Sequence, residues 1–282
     1  MPPHIVVCGP AAWNHLILLD RLPEPRPHMQ FAEHAWHTLG GTSAGKALHL
    51  AERGVDVRLI AQIGTDDEGE RVLSALTSSG VRVEALASAR TEQHVNLMTN
   101  HGERVSLYVA TPSSPLPEHI ESAAATAAAA EIAVIDLSEL GAALLGRTGD
   151  TSLWIDLHDY DGSSAFHEPF LRAADVVFMN DDATGDVWEL MRSCLERGPR
   201  LAVCTRGADG AVALTADGQR HSVAAHPVDV IDTNGAGDAF MAGFLAATTR
   251  GASVDDALHS AATQASIALS TRHLNPILDV AV

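Results

Sequence analysis

Residues 230–240 read Val-Ile-Asp-Thr-Asn-Gly-Ala-Gly-Asp-Ala-Phe, the most specific pattern in the chain. An apolar strand end runs into the small residues Gly235, Ala236 and Gly237, and a helix with Phe240 on its apolar face follows. Small residues let a backbone approach a ligand closely, and the first N–H groups of a helix have no internal partners. The pattern predicts an anion site at a helix N-terminus that needs no lysine.

Asp238 lies in the first turn of that predicted helix. A carboxylate beside an anion site repels the anion unless it has another task, and accepting the proton of an attacking hydroxyl is such a task. The alternative is an ordinary N-terminal acid that the helix dipole favours.

Outward from this segment, short apolar runs alternate with segments of helical period. Strands are predicted at 5–9, 57–64, 132–137, 153–157, 176–179 and 201–205. Helices are predicted at 43–53, 66–78, 118–130, 182–196, 236–248 and 253–270, with a capping box of Thr65 and Glu68 before the second. Several strands are continuously apolar, as strands buried on both faces are. The fold class is therefore α/β, three-layered, with a mostly parallel sheet between helices.

Two stretches break this alternation, residues 13–37 and 90–111. The second has apolar and polar residues alternating around a turn at residues 100–102, which is typical of a hairpin. We expect these stretches to form a β-sheet lid on a core of residues 1–12, 38–89 and 112–282. Trp13, Trp36 and Tyr108 lie in them, and they either cover a ligand or fill a small second core.

Composition limits the possible partners. The chain has 282 residues, 46% of them hydrophobic, and a formal net charge of −18. Its few cations are not gathered into a patch, which argues against nucleic acid. No apolar run reaches the ~18 residues of a membrane span. Cys8, Cys194 and Cys204 are far apart and resemble core thiols of a reducing compartment, so we expect a soluble cytoplasmic protein.

Two further glycine segments are candidate sites. Residues 39–47, Leu-Gly-Gly-Thr-Ser-Ala-Gly-Lys-Ala, fit the spacing of a P-loop, but Ala47 stands where that motif needs a hydroxyl. A glycine turn that opens a helix beside a small polar ligand explains them better, with Lys46 as a solvated helix residue. Residues 205–210, Thr-Arg-Gly-Ala-Asp-Gly, favour a tight hairpin or, alternatively, a loop at the edge of a nucleotide.

Taken together, these segments resemble the ribokinase-like, or PfkB, family of carbohydrate and nucleoside kinases. Residues 232–238, Asp-Thr-Asn-Gly-Ala-Gly-Asp, are similar to its C-terminal signature. Three earlier segments occur in the same order along the chain as in the family: the Gly40-Gly41 segment, residues 64–69 and residues 205–210. The resemblance implies a three-layer α/β core, a β lid over the acceptor site, and transfer of the ATP γ-phosphate to a hydroxyl with Mg²⁺ as cofactor.

The resemblance also implies roles for individual residues. Asp238 is the base, and the amides of Gly235, Ala236, Gly237 and Asp238 form the anion hole. Asp232 and the carbonyl of Asn234 lie where many members hold a monovalent cation, such as K⁺. The residues implied along the nucleotide are Asn180, Thr205, Gly207, Gly210, Gly235 and Gly237. Those implied at the acceptor are Asn14, Gly40, Gly41, Thr42, Gly45 and Asp238.

Three positions depart from the family's pattern. Members of the family usually have an acidic residue near the position of Asn14, where it binds acceptor hydroxyls. Gly45 stands where members often have Asn, and the change removes one sugar contact. Ala183 replaces the glutamate of Asn-x-x-Glu after Asn180, so that the carboxylate is either shifted to Asp181 or Asp182 or lost. These departures bear on the identity of the acceptor and on catalytic efficiency, and they leave the predicted role of Asp238 unchanged.

The leading hypothesis is an ATP- and Mg²⁺-dependent kinase of a sugar or sugar derivative. A nucleoside is the rival acceptor, and a catalytically silent sugar- or nucleotide-binding regulator is the rival class. A nicotinamide-dependent oxidoreductase lacks its Gly-x-Gly-x-x-Gly after the first strand. The lid exposes sheet edges that a second copy could cover, so a homodimer through the lid is expected.

Overall fold

The computed structural model describes residues 4–280. Two sheets organise this part of the chain. The larger has nine strands in the order β13-β12-β11-β10-β9-β8-β1-β4-β5, parallel except at β12, which runs antiparallel to both β11 and β13. Its strands are β1 (Ile5–Cys8), β4 (Val57–Gly64), β5 (Arg82–Ser88), β8 (Ile132–Ile135), β9 (Ser152–Asp156), β10 (Val176–Asn180), β11 (Leu201–Thr205), β12 (Ala211–Thr215) and β13 (Arg220–Val223).

The helices cover both faces of this sheet, which confirms the predicted α/β class. They are α1 (Thr42–Glu52), α2 (Asp67–Ser78), α3 (Pro117–Ala128), α4 (Glu139–Leu144), α5 (Glu168–Ala173), α6 (Val187–Leu195), α7 (Ala236–Thr248) and α8 (Val254–Leu269). In β1, Ile5 and Val7 join the core with α1, α2, α7 and α8, whereas Val6 and Cys8 join the core with α3 to α6. Side chains alternate across a strand, so each continuous apolar run supplies both cores.

The second sheet has the order β3-β2-β6-β7, with β2 (Ala12–Leu19), β3 (His34–Gly40), β6 (Glu92–Thr99) and β7 (Arg104–Ala110). We call these four strands the lid sheet. β6 and β7 form the predicted hairpin, with Gly102 at φ 86° in its turn. β2 and β6 are parallel, which brings Asn14 beside His94.

Several details differ from the expectations. The side chain that caps α2 is Asp66 and not Thr65, because the Asp66 carboxylate accepts the Gly69 N–H at 3.0 Å. Helix α6 begins at Val187, five residues later than predicted, where Asp186 caps it. The short helices α4 and α5 and the strand β5 were not predicted, because their runs are too short or too mixed for a clear period.

The three cysteines are buried and free, as predicted. Burial raises the pKa of both Cys194 and Cys204 to about 12, which keeps these thiols protonated and inert. Within residues 4–280, no helix is both long and apolar enough to cross a membrane.

Candidate active site

The start of α7 has the predicted glycines and helix, but the predicted strand end before them is wrong, because Val230 and Ile231 lie outside any strand and are each 57% exposed. Gly235 precedes the helix with φ 76°, a left-handed conformation that glycine adopts without strain, and a Cβ there would lie 2.6 Å from Leu274 Cδ2. A Cβ on Gly237 would meet no atom of the described residues within 4 Å. Gly235 is therefore required by the local backbone, whereas Gly237 faces open space.

A cavity of about 730 Å³ opens beside this turn. Asp181, Asp182 and the apolar side chains of Phe240 and Leu269 also border it, and Ala183 is not among its lining residues. The sequence-predicted residues that line it are Asn180, Thr205, Gly207, Gly210, Ala236 and Gly237. Segments nearly 60 positions apart in the sequence thus meet at one cavity, with polar groups and an apolar wall suited to a nucleotide.

Residues 205–210 take the form of a hairpin between β11 and β12, with a 3-10 turn at Gly207–Asp209. Gly210 has φ 84°, and a Cβ there would lie 2.0 Å from the Val223 carbonyl oxygen. The two alternatives for this segment are therefore compatible, because the hairpin loop itself lines the large cavity.

Asp238 lies one residue beyond the cavity-lining Gly237 and contacts α1. Its Oδ1 accepts a hydrogen bond from the Thr42 hydroxyl and another from Lys46 Nζ at 2.8 Å. A Cβ on Gly45 would lie 3.1 Å from Asp238 Oδ2. The absence of a side chain at Gly45 therefore lets α1 approach the carboxylate closely.

Lys46 contradicts the expectation of a solvated helix residue, because it is only 1% exposed. Besides Asp238, its Nζ lies 3.0 Å from Asp136 Oδ1 and 3.2 Å from Asp156 Oδ2. Burial acts to lower the pKa of Lys46, but the carboxylates, with Asp136 foremost, outweigh it and raise that pKa above its ordinary value. Lys46 is thus a buried ammonium among three aspartates.

Asp136 and Asp156 are functional candidates that the sequence reasoning missed. Burial raises the pKa of Asp136 despite the nearby Lys46 charge. Burial also acts to raise the pKa of Asp156, but the charges of His158 and Lys46 outweigh it and lower that pKa to about 2. The available signal was a carboxylate at the carboxyl end of an apolar strand run, where ligands bind in open α/β sheets.

The predicted acceptor residues lie where the lid sheet meets the core. Asn14 on β2 is buried, and its Oδ1 has no hydrogen-bond partner within the described residues. A Cβ on Gly40 would lie 2.1 Å from Asn14 Nδ2, and one on Gly41 would lie 2.5 Å from the Pro10 carbonyl oxygen. The glycine pair therefore permits a close contact between the start of α1 and both β2 and the loop before it.

A second cavity, of about 310 Å³, lies between the lid sheet and the carboxyl ends of the central strands. Gly9 and Pro10, Glu92 and Tyr108 of the lid, and Glu139 help to line it. A Cβ on Gly9 would lie 2.5 Å from Ser43 Oγ, and Ser43 donates to Asp136 Oδ2 at 2.5 Å. The floor of this cavity therefore adjoins the aspartate cluster.

Neither lid tryptophan lines the larger or the smaller cavity. Trp13 is buried in the main core with Arg71 over its ring, and the Trp36 indole N–H donates to the Arg272 carbonyl oxygen at 2.9 Å. Tyr108, in contrast, is exposed, and its ring is tilted by 51° against the His94 ring with centroids 4.0 Å apart. Of the three aromatic residues, Tyr108 alone borders the smaller cavity.

Asp232 and Asn234 form a separate local unit before α7. Asp232 is buried, and its Oδ1 accepts hydrogen bonds from the Asn234 backbone N–H at 2.8 Å and from its side-chain amide at 2.7 Å. Burial raises the pKa of Asp232. The Arg104 guanidinium acts to lower that pKa and donates to Asn234 Oδ1 at 2.8 Å, but within residues 4–280 no cationic side chain forms an ion pair with Asp232, an arrangement that suits a nearby cation.

Known proteins match this chain over nearly its whole length. A model of the pfkB family carbohydrate kinases matches residues 3–279. The acarbose 7(IV)-phosphotransferase of Actinoplanes sp. is 31% identical over 250 residues, which cover 86% of this chain and 83% of the relative. The ATP-dependent ribose-1-phosphate kinase of Halopiger xanaduensis is 29% identical over 274 residues, covering 91% and 88%.

A solved structure agrees with these sequence matches. That of a microbiome-derived acarbose kinase matches with a TM-score of 0.84 and 24% identity, over 96% of this chain and 94% of that chain. It shows a shared fold, and the family model confirms the resemblance carried by residues 232–238. The chain belongs to the pfkB family of carbohydrate kinases and is a phosphotransferase.

Proposed function

We propose that this protein transfers the γ-phosphate of ATP to a hydroxyl of a sugar or sugar derivative, with Asp238 as general base. One observation carries the proposal. Asp238 directly follows Ala236 and Gly237 in the wall of the larger cavity, and its carboxylate accepts hydrogen bonds from Thr42 and Lys46 of α1, the helix whose Ser43 lies against Gly9 of the smaller cavity. A carboxylate at such a junction can serve a nucleotide on one side and a hydroxyl on the other.

In this mechanism the acceptor hydroxyl gives its proton to Asp238 Oδ2 while its oxygen forms a bond to the γ-phosphorus. The bond from that phosphorus to the β,γ-bridging oxygen breaks, and ADP leaves. The N–H groups of the first turn of α7 donate to the transferring group and spread its charge. Gly237 leaves room for that group, since no protein atom would lie within 4 Å of a Cβ there.

Mg²⁺ fits this site as an ion held mainly by phosphates. No group of three or more acidic, His or Cys side chains poised for a metal occurs among residues 4–280, and Mg²⁺ commonly uses one or two carboxylates plus substrate phosphates. Asp181 and Asp182 line the nucleotide cavity and would supply them. When bound, Mg²⁺ neutralises phosphate charge. The buried Asp232 and the Asn234 carbonyl would hold a monovalent cation such as K⁺, which stabilises the turn before α7.

We propose that the acceptor binds at the smaller cavity, whose lining would then limit its charge. The predicted acceptor residues Asn14, Gly40, Gly41, Thr42 and Gly45 are not among the residues that line it. Glu92 and Glu139 line it, and no lysine or arginine does so among the described residues. Glu92 is buried and holds His94 Nε2 at 2.9 Å. A phosphate or carboxylate on the acceptor would meet these carboxylates without a compensating cation. We therefore propose a neutral or cationic polyhydroxylated acceptor, and not a sugar phosphate or sugar acid.

A nucleoside is a second candidate acceptor, and the exposed Tyr108 ring in the smaller cavity favours it, because a base could stack there. ADP release is measured with ATP and Mg²⁺ across neutral sugars, amino sugars, sugar acids, sugar phosphates and nucleosides. Turnover with neutral or amino sugars supports the proposal, and turnover with nucleosides alone supports the second candidate. Ligand-induced thermal stabilisation without turnover on any acceptor would instead indicate a silent regulator.

We also propose a homodimer through the lid sheet. Val105, Leu107 and Val109 point to one side of β7 and are 40%, 48% and 54% exposed. An apolar strip on an edge strand is a surface that a second copy can cover. Light scattering at micromolar concentration tests this: a dimer mass that Leu107→Asp converts to a monomer is expected, and a monomer mass for the unaltered protein contradicts it.

A further inference from the structure

Lysine occurs once in the 282 residues, at position 46, whereas the other 17 of the 18 Lys and Arg residues are arginines. We propose that Lys46 is a positioning residue of the phosphoryl-transfer site: its ammonium fixes one oxygen of Asp238, so that the other oxygen faces the acceptor hydroxyl. The inference rests on the proposed function of Asp238.

The hydrogen bonds of the ammonium converge on a single atom of Asp238. Lys46 Nζ donates to Asp238 Oδ1 at 2.8 Å and also to Thr42 Oγ1, which in turn donates to the same Oδ1. Thr42 and Lys46 are one helical turn apart, so their side chains lie on the same face of α1. Oδ1 is thereby held twice, and Oδ2 lies over Gly45 without a protein side chain between them.

Asp136 and Asp156 hold Lys46 in place from the sheet side. They stand at or just beyond the carboxyl ends of the neighbouring strands β8 and β9, 3.0 and 3.2 Å from Nζ. Asp136 Oδ1 makes no hydrogen bond within the described residues, so the ammonium meets it as a charge and directs hydrogen bonds to Thr42 and Asp238. The sheet therefore fixes the ammonium, and the ammonium fixes the base.

The geometry favours lysine over arginine at position 46, although the other 17 Lys and Arg residues of the chain are arginines. An ammonium is a compact point charge with three donors, and it can sit among several acceptors that converge from different directions. A guanidinium is planar and larger than an ammonium, and the side chain at position 46 is enclosed so that only 1% of it is exposed. Lys46 is only 1% exposed and donates to Thr42 and Asp238, so it acts on the reaction as a positioning group.

The test uses two readouts. In the kinetic one, Lys46→Met should lower kcat by ~100-fold or more with an unchanged ATP dissociation constant, because the base is misplaced and the nucleotide cavity is not touched. The compensated variant Lys46→Met with Asp136→Asn removes one charge of each sign from the cluster. We expect the double variant to recover the melting temperature of the unaltered protein, whereas its kcat should stay as low as that of Lys46→Met. Recovery of both together would overturn the proposal, since charge balance alone would then explain the lysine.

The second readout needs no turnover. Protein labelled with ¹³Cε-lysine gives one side-chain NMR signal, and Asp238→Asn should shift it, whereas Asp150→Asn at an exposed turn should not. An unshifted signal in Asp238→Asn would overturn the contact on which the inference depends, even if the Lys46 variants failed to fold. Absence of ADP release from the unaltered protein with every acceptor would count against the proposed function, and the signal would still report on the Lys46–Asp238 contact.

Discussion

Gly45 lies against Asp238 so closely that a single added methyl group would sit 3.1 Å from Oδ2 and 3.2 Å from Cβ of the aspartate. From the family resemblance, Gly45 was expected only to remove one contact to the sugar. In the structure it is the position where α1 leaves room for the carboxylate proposed as the base.

Gly45→Ala should therefore have opposite effects on stability and on activity. Gly45 is inside α1, where alanine favours the helix by up to about 1 kcal/mol, so the melting temperature should hold or rise. The new methyl group should displace Asp238 by a few tenths of an ångström and lower kcat by ~10-fold.

Steady-state kinetics and thermal unfolding of Gly45→Ala measure both effects. Gly185→Ala is a control outside the helices, because a Cβ there would meet no atom of residues 4–280 within 4 Å. A kcat equal to that of the control would show that the close approach at Gly45 is irrelevant to the reaction.

Gly237→Val should weaken ATP binding by ~10-fold or more, which corresponds to about 1.4 kcal/mol. The valine would meet no protein atom near its Cβ, so the protein should fold normally while the side chain occupies the nucleotide cavity. Calorimetric titration with ATP checks this, and retained affinity would argue against an anion hole in this turn.

Asp66 links the start of α2 to the segment before the lid strand β6. Its carboxylate accepts from Gly69 N at 3.0 Å, Thr91 N at 2.9 Å and Thr91 Oγ1 at 2.5 Å. Burial acts to raise the pKa of Asp66, but these hydrogen bonds outweigh it and lower that pKa. Asp66→Ala should cost about 2 kcal/mol of unfolding free energy near neutral pH.

The pH dependence of that cost has a definite sign. Because the folded pKa of Asp66 lies below its ordinary value of 3.8, the stabilisation is fully present above that value and disappears as the pH falls through the folded pKa. Denaturant unfolding at pH 7 and at acid pH should show the gap between Asp66→Ala and the unaltered protein closing. Asp67→Ala, at an exposed neighbour, should cost less than about 1 kcal/mol. A gap independent of pH would contradict the ionised cap.

Much of the fold could be predicted from local pattern. The buried strands at 57–64 and 201–205 and the helix at 236–248 have the predicted bounds, because long apolar runs and glycine boundaries are strong local signals. The short α4 and α5 carry too few turns for a period to show. The α2 cap is Asp66 and not Thr65. Both residues are capping types at the right distance from the first helical amides, so the sequence alone does not decide between them.

The site could be predicted only in part. Residues predicted along a nucleotide in three segments, Asn180, the loop at 205–210 and Gly237, do line the larger cavity, whereas Gly235 does not. Lys46, Asp136 and Asp156 come from three elements that only the sheet order brings together, so no spacing in the sequence connects them. The sequence left two roles open for the tryptophans, since adjacent strand residues face opposite sides and the pattern does not show which side is covered; Trp13 packs in the main core.

The central claim is that Asp238 takes the proton of the acceptor hydroxyl. Asp238→Asn keeps the shape of the side chain and removes its basicity, and its most direct test is kcat for acceptor-dependent ADP release, with ATP affinity measured on the same protein. We expect kcat to fall by ~10²-fold or more while the ATP dissociation constant stays within about twofold. An unchanged kcat with the same acceptor would contradict the assignment of Asp238 as the base.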